Sequence, residues 1–210
     1  MLPELNDRVK TAAKTIEKAM LDMHADDLGI HVNTLISTVA AITAEAALRA
    51  TIPEGELYSK RGVIFSGQVN GIICEEKGGN ILDYILFTGK KVGLSEHKFP
   101  NIDDIFRAAV IGIDKNQLPV LSIPMEHRPN FWAMAGAAYA RDKILEIYRR
   151  NRLSSGEAVL AMTLVLCRIL TVTKDTLAPE IAFRLALETL IGVAKLHPIA
   201  VEDFEQMAQQ

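Results

Sequence analysis

Residues 24–35, HADDLGIHVNTL, lie where one apolar repeat gives way to another, and the path of the chain through them decides the fold. On the N-terminal side, Leu5, Val9, Ala12, Ile16, Ala19 and Met23 recur at alternating spacings of 4 and 3. Lys10, Lys14 and Lys18 fall on the opposite side of the same segment. From within the stretch onward, Leu28, Val32, Leu35, Val39, Ile42 and Ala46 recur in the same way. Such alternation puts apolar side chains on one helical stripe. Residues 4–24 and the segment from 28 to about 48 therefore read as two amphipathic helices, with a short polar break between them. The expectation is an antiparallel helical hairpin over residues 1–50. Ala40, Ala41, Ala44 and Ala47 widen the apolar surface of the second helix beyond what one partner helix needs. That helix is either central in a bundle or part of a subunit interface. The second option makes self-association through residues 28–48 an expectation.

The totals narrow the classes. The chain has 210 residues, 49% hydrophobic and 23% charged, enough apolar content to bury a core and expected to form a single domain. A net charge of −3 offers no overall attraction to nucleic acid or to an anionic membrane. Nucleic acid is therefore not an expected partner. Cys74 and Cys167 are far apart and form no CxxC motif, so both read as buried thiols in a reducing compartment. MLPELNDRVK carries no apolar run of the signal-peptide kind. The longest apolar run, Ala158–Cys167, has ten residues, half of the roughly 20 that span a membrane. A cytoplasmic protein with no membrane contact is expected.

Eight of the thirteen glycines fall between Gly55 and Gly93, which marks residues 55–94 as a Gly-rich insertion. Asn70-Gly71, between VIFSGQV and IICEE, fits the tight turn of a β-hairpin, whose central residues need positive φ. A rival reading is helical, with Ser66 and Asn80 as N-caps and Gly78 and Gly89 as stops. The small β element over 60–75 is the reading taken here, which leaves α+β as the alternative class. Beyond it, helices return over 100–208. Asn101 caps a helix with Asp103 and Asp104 in its first turn. LPVLSIP, up to Pro124, is extended. Residues 130–150 place Trp132, Gly136, Ala140, Ile144 and Ile147 on one face. Ser154 and Glu157 form a capping box. Pro179 opens a helix to about Lys195, and a short last helix closes the chain. The fold class is mainly α, an N-terminal helical hairpin plus a C-terminal helical bundle.

The opening stretch also resembles the turn and recognition-helix start of bacterial helix-turn-helix regulators. Ala25, Leu28, Gly29, Ile30 and Leu35 occupy the positions that pattern requires, over about 20 residues of the chain. The resemblance implies DNA reading within residues 20–40, with His31, Asn33 and Thr34 facing the bases. Length and helical content are similar to those of TetR-type regulators, whose motif adds a preceding short helix and a basic-aromatic segment that this chain lacks. No Lys or Arg occurs from residue 19 to residue 48, whereas Asp22, Asp26, Asp27 and Glu45 do. Phosphate contacts supply most non-specific affinity, so the residues favour a bend between packed helices.

Other chemistry has thin support. His24, Asp26, Asp27 and His31 have metal-ligand side chains, but no HExxH or Glu-x-x-His spacing accompanies them. The expectation is no metal, an aspartate capping the second helix, and both histidines at the surface. No phosphate-binding loop, dinucleotide fingerprint or nucleophile elbow occurs, so no cofactor or catalytic residue is expected. His127, Arg128, Trp132, Tyr139 and Arg141 bring together a cation, an imidazole and aromatic rings, and are the candidate lining of a small-molecule pocket. The strip 141–152, RDKILEIYRRNR, is the most basic part of the chain and a possible dock for an acidic protein. Arg168, in an apolar helix, calls for a partner, with Asp175 or Thr171 in reach along one face. Three functions are open: a non-enzymatic protein working through protein contacts and self-association, a DNA-binding regulator, and a small-molecule binder or enzyme.

Overall fold

The chain reverses at residues 25–30 through a two-stranded β-hairpin, and helices make up most of the other described residues. A computed structural model describes residues 6–58, 62–64, 66–75, 79–114 and 119–198. In chain order the elements are α1 (Asp7–His24), β1 (Ala25–Asp26), β2 (Gly29–Ile30), α2 (Val32–Thr51), α3 (Glu54–Leu57), α4 (Gly67–Asn70), a π-helical turn Gly71–Glu75, α5 (Ile81–Lys91), α6 (Ile102–Asp114), α7 (Ala133–Arg150), α8 (Ser155–Val172) and α9 (Pro179–Val193). The class is mainly α, as expected.

The bend has local causes. Ala25 pairs with Ile30 and Asp26 with Gly29 in antiparallel register. An Asp26 carboxylate oxygen accepts the Leu28 N–H at 2.8 Å, closing an Asx turn. Gly29 has φ +113°, a conformation L side chains rarely adopt. His31, rather than an aspartate, caps α2: its Nδ1 accepts the Thr34 N–H at 3.3 Å.

α2 is the centre of the bundle. Residues 33–48 are all buried, and α7, α8 and α9 pack around them. Of the two readings of its wide apolar surface, the central one holds. The self-association face expected over 28–48 is therefore corrected: residues 33–48 are covered by this chain's own helices, and only the start of the segment reaches solvent. α1 rests mainly on α8 and α7, so the two apolar repeats largely face other helices and not each other. Its buried stripe is Val9, Ala12, Ala13, Ile16 and Met20, while Met23 is 45% exposed. A straight helix of 3.6 residues per turn drifts off a seven-residue repeat, and by the fourth turn Met20 has taken the place expected of Met23. Leu5 lies outside the described residues. The partner of Arg168 is Glu17 of α1, at 2.7 Å, and not Asp175 or Thr171. Arg8 and Glu157, 2.9 Å apart, tie the other end of α1 to the start of α8.

The expected β element over 60–75 is overturned in favour of the helical reading. Ser66 caps α4 by accepting the Val69 N–H, and Asn80 caps α5 by accepting the Asp83 N–H at 2.8 Å. Gly71 is right-handed helical, with φ −53°. Asn70 is occupied by the tertiary structure, since its side-chain oxygen accepts from Lys195 Nζ at 2.5 Å. An Asn-Gly pair permits a hairpin turn but does not compel one.

The remaining start signals act as read. Asn101 accepts the N–H groups of Asp103 and Asp104, Ser154 and Glu157 form the capping box, and Pro179 occupies the first turn of α9. α9 ends at Val193, two residues before the expected stop. Residues 119–124 are extended without joining a sheet, held by Glu188 of α9, which accepts from the Ser122 N–H at 2.8 Å and from its hydroxyl. The expected last helix falls largely outside the described residues. α8 has the length and apolar composition of a membrane-crossing helix, but 56% of it is buried inside the bundle.

Candidate functional site

Two polar centres flank α2, one at each end. The first grows from the bend. Met23, His24, Asp26, His31, Asn130 and Tyr139 border a cleft of about 340 Å³. α1 delivers His24 at its last residue, the hairpin delivers Asp26, the cap of α2 delivers His31, and the first turns of α7 deliver Tyr139. His24 Nδ1 donates to the Met20 carbonyl at 2.8 Å, because a carbonyl only accepts, and so carries a proton. Its Nε2 is buried and has no hydrogen-bond partner among the described residues. The ring stacks on Phe131 at a centroid distance of 6.3 Å. Burial pushes the His24 pKa below the ordinary histidine value, against the opposing pull of the Met20 carbonyl. The unfolded chain thus takes up a proton more readily than the native one. This share of stability is present above the ordinary value near 6.5 and is lost as pH falls through the lower native value. Urea midpoints measured downward from pH 7 are expected to drop more steeply for the wild type than for His24→Gln; equal slopes would count against this assignment.

The second centre is a buried carboxylate between two guanidiniums. Glu45, only 4% exposed, projects from the fourth turn of α2. Arg141 of α7 grips it with two bonds, Nε to one oxygen at 2.6 Å and Nη2 to the other at 3.1 Å. Arg49, one turn further along α2, approaches the same carboxylate at 3.4 Å and reaches Glu54 at 3.1 Å. The Tyr58 hydroxyl donates to Glu45 at 2.7 Å and lies 2.5 Å from Arg49 Nη2. Both guanidiniums also lie over the Tyr58 ring, 5.2 and 5.1 Å from its centroid. Burial, reinforced by the Glu45 carboxylate, holds the Tyr58 hydroxyl well above the usual phenol range, and the arginines oppose this. Tyr148 packs alongside, and burial raises its hydroxyl too.

The expected pocket residues part company. Arg128 and Trp132 border a cleft of about 280 Å³ with Leu121 and Pro129. His127 sits in the preceding short turn and is not on that wall. Tyr139 belongs to the bend cleft and Arg141 to the buried cluster, so the five do not form one site. Spacing along α7 explains the split: Trp132 is the N-cap, Tyr139 lies two turns further along much the same side, and Arg141 leaves the opposite side of the helix. The DNA-reading set also fails to present itself. Asn33 and Thr34 are buried, with Thr34 Oγ1 accepting the Asn130 N–H at 3.0 Å, so neither can reach a base edge. In the basic strip Arg141 is consumed by Glu45, and Glu146 accepts from both Lys143 and Arg150, which leaves a weaker dock for an acidic partner. Among the described residues no three His, Cys, Asp or Glu side chains converge as metal ligands. The sequence reading passed over Glu45, Arg49, Tyr58 and Tyr148. The available signal was Glu45 itself, the one charge within residues 32–48, with Arg49 four residues on.

Comparison with protein-family models, curated proteins and solved structures gives no match. The chain's function is therefore argued from its own residues.

Proposed function

We propose that the chain acts through protein contacts, and that it pairs with a second copy of itself at the bend. The supporting observation is Leu28, which is 99% exposed at the tip of a hairpin that forms one wall of the apolar-sided cleft. Met23, Phe131 and Tyr139, all exposed, surround that cleft. A protruding side chain beside a recess suits a two-fold pair, in which each copy inserts its tip into the other. Asp26 and Asp27 on the tip would then meet His24 and His31 in the partner's recess. Burying a leucine contributes about 1.5–3 kcal/mol, and two-fold symmetry applies it twice. This narrows the expected self-association surface, residues 28–48, to the start of that segment at Leu28. The cytoplasm is the proposed compartment, since Cys74 and Cys167 form no disulfide.

Sedimentation equilibrium at high micromolar concentration tests the proposal. A dimer is expected, and Leu28→Asp is expected to weaken it about a hundredfold or more, from the burial lost in both copies. A wild-type monomer at that concentration would overturn the proposal, as would a dimer indifferent to Leu28→Asp.

A further inference from the structure

We propose that the cleft between the extended strap of residues 119–124 and the start of α7 binds a small aromatic monocarboxylate, with the Arg128 guanidinium on its carboxylate and Trp132 against its ring. The cleft shares Phe131 with the bend cleft, but the proposal does not rest on self-association.

The decisive residue is Arg128. Its side chain is exposed, and its Nη2 lies 3.5 Å from the Leu121 carbonyl, the long limit of a hydrogen bond. Leu121 belongs to the strap and Arg128 to the turn that leads into α7, and both border the cleft. The contact between them therefore places the guanidinium itself at the opening between the two walls. Arg49, Arg141, Arg168 and Arg184 each meet a glutamate. Among the described residues Arg128 meets no carboxylate, and its one hydrogen bond is the long one to Leu121. A guanidinium presents five donors in a planar fork that fits a carboxylate with two parallel bonds. In Arg128 that fork is open.

The start of α7 adds to the charge at this point. Ala133, its first residue, borders the cleft, and its N-cap is Trp132, whose side chain makes no capping bond. No capping oxygen offsets the positive end of this 18-residue helix, so its dipole and Arg128 favour an anion together.

The remaining walls set the rest of the ligand. Pro119, Leu121, Pro129 and the half-buried Trp132 supply apolar surface, much of it flat and stiff. A volume of about 280 Å³ is at the small end of ligand pockets, enough for one ring and a short arm. A largely apolar recess with a single cation at its mouth orients such a ligand by its charged end. Glu188, held on Ser122 of the strap, and Glu126, two residues ahead of Arg128, oppose a second negative charge. They favour a monoanion over a phosphate dianion.

The test is titration of phenylacetate into the full chain at neutral pH, followed by the emission of Trp132, the sole tryptophan. A saturable change is expected. Arg128→Gln is expected to weaken binding about tenfold, the worth of one charged hydrogen bond. Because Arg128 is exposed and pairs with no acid, that variant should melt as the wild type does. Phenylacetamide, the neutral analogue, should bind the wild type about tenfold more weakly than phenylacetate and should not distinguish wild type from Arg128→Gln. Leu28→Asp, altered only at the bend, should bind phenylacetate as the wild type does. No saturable change would overturn the proposal. So would unchanged affinity in Arg128→Gln, phenylacetamide binding as well as phenylacetate, or inorganic phosphate binding more tightly than either. Loss of binding in Leu28→Asp would place the ligand at the bend and overturn it too.

Discussion

Replacing Glu45 with alanine is expected to destabilise the protein by about 3–5 kcal/mol, the usual cost of leaving a buried charge without its partner. Arg141 spends two of its donors on this carboxylate, and Arg49 and Tyr58 share it. Without it, two guanidiniums remain close to the same Tyr58 ring with less negative charge beside them. Glu45→Gln keeps the shape and one acceptor and should fall between alanine and wild type. Urea midpoints supply the measurement. A loss below about 1 kcal/mol, the range of exposed pairs, would mean that water reaches the cluster and screens it. A second readout separates charge from packing. The Glu45 carboxylate helps raise the Tyr58 hydroxyl, so ultraviolet titration of Glu45→Gln should find that hydroxyl moved down toward the ordinary phenol value. A purely steric role for Glu45 leaves it in place.

Gly136→Val should cost about 3 kcal/mol, the upper part of the range for overfilling a packed core. Gly136 is buried in α7 where that helix crosses α2, and a Cβ built there runs into Thr38 Oγ1 and the Phe131 ring. Phe131 is partly exposed and can yield. Thr38 is fully buried on α2, which is itself backed by α8 and α9 and has nowhere to retreat. Thr38 also offers the rescue. Its hydroxyl is buried with no partner among the described residues, so Thr38→Ala loses no hydrogen bond seen there while making room. A double-mutant cycle with Gly136→Ala should therefore show the pair costing less than the sum of its parts. Strict additivity in thermal melts would mean that the helices separate freely at this crossing.

What could be read from the sequence was whatever depended on near neighbours. Asn101, the Ser154–Glu157 box and Pro179 start helices because their side chains or rings act on backbone within three or four residues. The mainly α class and the two helices on either side of the bend follow from the same local periodicity, whereas the pairing of their apolar stripes does not, since α1 rests mainly on α8 and α7. Asn70-Gly71 marks the limit of that logic. The pair tolerates either conformation, and a lysine 125 residues away is among the contacts that settle it. Arg168 was matched to its own helix, whereas Glu17 meets it across the α1–α8 contact. Pocket residues were legible least of all. Chemistry predicted which side chains were suitable, but only the helix crossings sort Trp132, Tyr139 and Arg141 into three different places.

The central position of α2 also has a price during synthesis. Its partners α7, α8 and α9 lie roughly 80 to 140 residues further along the chain. At about 5–20 residues per second, a ribosome takes roughly 7 to 30 seconds to deliver the end of α9 after α2 has been made. Throughout that interval a helix apolar on nearly every side stands without its cover, and only α1 is there to shield it. The early product is thus a natural client for a chaperone at the exit tunnel, and truncation before α9 should yield a sticky nascent chain instead of a smaller folded protein.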